Sequence, residues 1–186
     1  QTCRFVLSCN YSSKIIDPIQ SRCAIFRFKL LPKQDLIKVI NSIAEKENIN
    51  IDDSAKEALF NICDGDCRRA ENILQSSAVI TDHITDEIIY SLASVARPKE
   101  IKEIIQLALN NKFIDSRKKL LDIMLEYGLS GLDIIKQIQK EVPKIDAENK
   151  KKMELIEFCG EAEFRMTEGS DEFLQLEALL AKIVLV

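Results

Sequence analysis

The stretch "LSCNYSSKIIDPIQSRC", Leu7–Cys23, places an amide and an arginine on two neighbouring loops. An apolar run, "RFVLSC", ends at Asn10. Residues 3–9 are small or apolar on both faces, which predicts a central parallel strand. "DPIQ" predicts a short helix, with proline at its start. Arg22 follows between Ser21 and Cys23, and "AIFRF", 24–28, alternates as a second strand does. In open parallel sheets ligands bind beyond the carboxyl ends of the strands, so an amide at Asn10 could orient water against a phosphate. Arg22 has the planar, permanently charged donor fork that suits a phosphoryl group. On spacing alone, a turn residue explains Asn10 and a surface ion pair explains Arg22.

After Pro32 every pattern is helical. Leu36, Ile37, Val39, Ile40, Ile43 and Ala44 recur at helical spacing. "NIN" breaks this run, and Asp52 or Asp53 caps a helix with Ala55, Ala58, Leu59 and Ile62 on one face. Gly65 stops it. Asp66 caps the next helix, and Thr85 a fourth. "SVARPKE" marks a boundary, because Pro98 opens a helix and pushes the residue before it out of helical geometry. Helices are predicted near 98–110, 113–127, 130–141, 147–167 and 170–185. Phe173, Leu174, Leu176, Leu179, Leu180, Ile183 and Val184 surround more than half of the last one, which predicts burial on more than one side.

Composition limits the function classes. The 186 residues allow one large or two small domains. A net charge of −4 lacks the basic excess of a protein that grips nucleic acid unaided. No apolar run is long enough for a membrane span, and no secretory leader pattern is present. The six cysteines, Cys3, Cys9, Cys23, Cys63, Cys67 and Cys159, form no CxxC pair and lie far from His83, the one histidine. They are expected to be free, buried and reduced, without zinc. His83 is expected in a solvated turn. A buried-looking strand this close to Gln1 reads as the back part of a longer protein.

A third pattern, "GDCRRAENILQ" (65–75), sets Arg68 and Arg69 in a first helical turn. Cations there oppose the helix dipole unless an anion compensates, so the turn is a candidate anion site. The plainer reading pairs both arginines with Asp66 and a nearby acid.

In the order strand, Asn10, "DPIQ", "SRC", strand, then "GDxRxxxNxLQ", the three patterns resemble the small subunit of the replication factor C clamp loader, in the AAA+ ATPase family. The wording is closer to archaeal than to eukaryotic members. "ARPKEIKEIIQLALNNKFIDSRKKLLDIMLEYGLSGLDIIKQI" and "GEAEFRMTEGSDEFLQLEALLAKI" resemble its helical collar, so the likeness runs over the whole chain.

The resemblance implies a mostly α fold in three parts. Residues 1–28 would end an α/β nucleotide-binding domain with two strands, 29–97 would be a helical lid, and 98–186 a helical collar that builds the oligomer. Asn10 would match sensor 1, Arg22 the arginine finger acting on the adjacent subunit's ATP, and Arg68 sensor 2. Arg69 would face solvent. Cys67 stands where relatives often carry a bulky apolar residue such as methionine, which leaves these charge roles intact. ATP and Mg²⁺ would be the cofactors of the complete subunit. The partners would be other clamp-loader subunits, the sliding clamp and, through the complex, primer–template DNA, in the cytoplasm of an archaeon or the nucleus of a eukaryote. No GxxxxGK[ST] loop and no acidic Mg²⁺ motif occur in these residues, so the chain alone is expected neither to hold ATP tightly nor to hydrolyse it. The alternatives are a non-catalytic helical scaffold and a fragment of another AAA+ DNA-processing ATPase. The strandless, acidic tail weighs against a branch-migration motor.

Overall fold

The structure, a computed structural model, describes residues 3–185 and falls into two compact units that meet in sequence between Leu30 and Leu31. The first unit holds one 3₁₀ turn, Ser12–Lys14, and one short helix, α1 (Asp17–Gln20), with Pro18 in its first turn. The strands expected over 3–9 and 24–28 do not form. A strand exists only with a ladder partner, and the described residues supply none to either stretch. Their apolar side chains are uncovered accordingly: Val6 is 96% exposed and Phe28 95%.

The second unit is helical, as its apolar periodicity requires. Four helices come first: α2 (Lys33–Glu47), α3 (Asp53–Cys63), α4 (Cys67–Ile80) and α5 (Asp86–Leu92). Pro32 precedes α2 in extended geometry, and Asn48, in the left-handed region, ends it. Leu36, Ile40, Leu59, Leu74 and Ile89 fill the space between these helices. Between them run two strands that the helical reading missed, β1 (Asn50–Ile51) and β2 (His83–Ile84). They pair in parallel, Asn50 with His83 and Ile51 with Ile84. Two residues carry no readable period, so only the folded chain shows them. His83 is thereby placed in a strand rather than a turn, with Nε2 3.1 Å from the Asp52 carboxylate.

Five helices follow the 93–97 link: α6 (Pro98–Leu109), α7 (Phe113–Tyr127), α8 (Gly131–Glu141), α9 (Asn149–Thr167) and α10 (Glu172–Leu185). α6 buries Ile101, Ile104, Ile105 and Ala108 against its neighbours. Gly128, at φ +63°, ends α7 in the left-handed geometry that glycine adopts without a Cβ clash. Ser130 caps α8 by accepting from the Asp133 N–H, while the Asp133 carboxylate accepts from the Ser130 N–H. α10 divides its apolar residues: Leu176, Leu179, Leu180 and Ile183 are buried, while Phe173 and Leu174 are exposed.

The cysteines divide too. All six are free, but only Cys63 and Cys159 are buried; Cys67 is half-buried, and Cys3, Cys9 and Cys23 are exposed. Cys3 and Cys9 lie in the run that forms no strand, and Cys23 in the turn after α1. Among the described residues no helix is long and apolar enough to cross a membrane.

Candidate functional site

Asn10 occupies the bend between the 3–9 run and the 3₁₀ turn, exposed to solvent. The segment after it is closed on itself by Gln20. Its amide Nε2 donates to the Ser12 carbonyl at 3.0 Å and the Ile15 carbonyl at 2.6 Å. Two side-chain bonds to backbone hold α1 against the turn and replace the support that a four-residue helix cannot give itself. Arg22 lies just past this helix. Its backbone N–H reaches the Ile19 carbonyl at 3.1 Å, and one guanidinium nitrogen, Nη1, donates to the Pro18 carbonyl at 2.6 Å. The guanidinium has five N–H donors, so this bond leaves most of the fork available. Among the described residues no acid pairs with Arg22, and the ion-pair reading is not realised.

Arg68 belongs to the second unit, in the first turn of α4. The turn before it is sharp. Asp64, at φ +48°, and Gly65, at φ +90°, both take left-handed geometry, and the Asp66 N–H returns to the Cys63 carbonyl at 2.9 Å. The Asp66 carboxylate then caps α4 by accepting from the Arg69 N–H at 3.2 Å. That cap satisfies one of the orphan amides at the helix start. Arg68 and Arg69 are exposed, α4 has no acidic residue in its first turn, and among the described residues neither arginine is in an ion pair. The arginines thus make no direct ion pair, and the carboxylate at this helix end is Asp66, spent on the cap of the Arg69 N–H.

The sequence did not reveal how the loop 64–66 is held. Lys140, on α8, donates from Nζ to the Asn61 carbonyl at 3.1 Å and lies 3.2 Å from the Asp64 carboxylate. One turn earlier on α8, Gln137 Oε1 accepts from the Ala96 N–H at 2.9 Å. Beside these contacts a cavity of about 240 Å³ opens between α3, α5, α6 and α8; Lys102, Lys140, Glu141 and Lys144 line part of it, and none of Asn10, Arg22 and Arg68 does. Glu141 is buried, with Lys144 Nζ at 2.6 Å and Lys102 Nζ at 3.7 Å. On the other side of the link, Arg97 pairs with Glu87 at 2.9 Å, and burial beside Glu100 pushes the Tyr127 phenol up to about 12.

Residues 96–182, most of the stretch from α6 to α10, match the replication factor C C-terminal domain. The replication factor C small subunit of Methanococcus maripaludis is 52% identical over 181 residues, 97% of this chain and 58% of that protein. Over this portion the chain belongs to the replication factor C small-subunit family. The small subunit of Methanococcus vannielii is 51% identical over 97% of the chain and 58% of its own length. That of Methanocella arvoryzae is 49% identical over 97% and 56%. The chain thus spans somewhat more than half the length of these relatives. The likeness covers α1 to α5 as well as the C-terminal helices, so the loops that carry Asn10, Arg22 and Arg68 fall within it.

Proposed function

We propose that the chain serves a clamp-loader small subunit, in which two of its loops attend nucleotide and its C-terminal helices assemble the complex. The observation that carries this reading is an identity near one half that extends over both units to relatives named replication factor C small subunit. In this reading residues 1–28 complete a nucleotide-binding domain, 29–97 form a lid and 98–186 a collar. The complex would load a sliding clamp onto primer–template DNA in the cytoplasm, next to the nucleoid.

The donor set suits the phosphates of ATP. Arg22 has free guanidinium donors, and Arg68 stands unpaired at a helix N-terminus. Among the described residues no group of three His, Cys, Asp or Glu side chains could hold a metal ion. ATP supplies the phosphoanhydride whose cleavage drives the cycle. Asn10 offers a carboxamide that orients a water. Arg22, reaching into the neighbouring subunit's site, places positive charge where the phosphoryl oxygens gain negative charge. Arg68 grips phosphate in its own subunit and draws α4 down with it.

Turnover in the assembled complex tests the roles. With Arg22→Ala, ATP hydrolysis falls about 10³-fold or more while nucleotide binding persists, because a finger acts on the transition state. Arg68→Ala weakens binding itself. Hydrolysis at the unsubstituted rate with Arg22→Ala overturns the finger.

A further inference from the structure

We propose that Lys140 is a positioning residue for Arg68, through which α8 sets the direction of the first turn of α4. This rests on the reading of Arg68 given above. Lys140 meets its acceptors far away in sequence: the Asn61 carbonyl near the end of α3, and the Asp64 carboxylate in the turn that leaves it. Both belong to the negative end of α3, where a cation is favoured. From Asp64 the chain reaches Arg68 through Gly65, Asp66 and Cys67. This short path has little slack. Asp64 and Gly65 are both left-handed, Asp66 is bonded to Cys63 and caps α4, and the Gly65 carbonyl accepts from the Leu31 N–H at 3.1 Å. Swinging α4 about its first turn would alter the backbone angles of 64–66 and draw Asp64 away from Lys140.

The other end of the link is braced. Gln137, one turn before Lys140, accepts from the Ala96 N–H. Glu141, the next residue, is buried between Lys102 and Lys144. α8 therefore presents Lys140 from a fixed backbone, and one helix holds both the 93–97 link and the turn that aims Arg68. A closure of α4 over nucleotide is then felt by α8, and a shift of α8 re-aims Arg68.

Hydrogen exchange and nucleotide affinity test this together. In Lys140→Met, which keeps the aliphatic stem, exchange at the Asp64, Asp66, Arg69 and Ala70 amides should rise about two- to fivefold, the scale of one exposed, charge-assisted pair. Amides of α6 should not change, and Lys140→Arg should restore protection. In the assembled complex Lys140→Met should weaken ATP binding by a similar factor, and should add nothing in an Arg68→Ala background. Unchanged exchange in Lys140→Met overturns the proposal, as does an equal loss of affinity with and without Arg68. If Arg68→Ala weakens ATP binding but Lys140→Met does not, the proposal alone fails. If Arg68→Ala leaves ATP affinity unchanged, the reading of Arg68 fails and takes the proposal with it.

Discussion

The carboxylate of Glu172, at the start of α10, accepts a 2.6 Å hydrogen bond from the Gly131 N–H at the start of α8. Two helix beginnings thus meet, and the acid of one satisfies an orphan amide of the other. The approach is so close that a Cβ on residue 131 would sit 2.8 Å from the Glu172 Cβ and 3.2 Å from Met166 Cε. That side of the contact is a β-carbon next to the helix backbone, which cannot swing aside. Gly131→Ala should therefore destabilise the folded chain by about 1–3 kcal/mol, the usual cost of overpacking. Glu172→Ala, which removes the acceptor, should cost about 1 kcal/mol. Urea unfolding followed by circular dichroism measures both.

The two sides of α10 should respond differently. Leu180 is fully buried, so Leu180→Ala should lower stability by about 2–5 kcal/mol. Leu174 is 63% exposed and Phe173 51%, so Leu174→Lys should change the stability of a single chain by about 0.5 kcal/mol or less. If this side meets a neighbouring subunit, Leu174→Lys should instead lower the sedimentation coefficient of the associated species. An unchanged association state with Leu174→Lys would take α10's outer side out of the interface.

Thiol labelling should sort the cysteines into two rates. Cys3, Cys9 and Cys23 are exposed and should react at once at pH 8. Cys63 and Cys159 are buried, and burial pushes each thiol up to about 11, so they should label only as the chain opens. Mass spectrometry of timed samples reads this directly.

The same two thiols give stability a pH dependence. A pKa raised in the folded state favours the neutral form there. Stability is then fully present below the unfolded value near 9.0 and is lost as pH rises towards about 11. The urea midpoint should fall across that window, and fall less in Cys159→Ala than in the unsubstituted chain.

Much of the helical part was legible because its signals are local. Apolar spacing places α2 to α10 within a few residues, Asp66 announces its helix as a cap, and Pro98 opens α6. Each depends on neighbours within about one or two helical turns, a distance at which order in sequence and order in space nearly coincide. Asn10, Arg22 and Arg68 were legible as loop or helix-start residues for the same reason.

What the tertiary structure decided depends on residues far apart in sequence. The runs 3–9 and 24–28 have strand patterns, yet a strand needs a second backbone alongside, and the pattern cannot say whether one is there. β1 and β2 have hardly any pattern, yet they pair because α3 and α4 bring Asn50 beside His83. The division of α10 into a buried and an open side was set by which neighbours reach it. Nothing local to Lys140 marks it out, and only the fold lays it against Asn61 and Asp64. Local geometry is written in the chain a few residues at a time, but a long-range contact forms only where packing of the whole unit brings its two ends together.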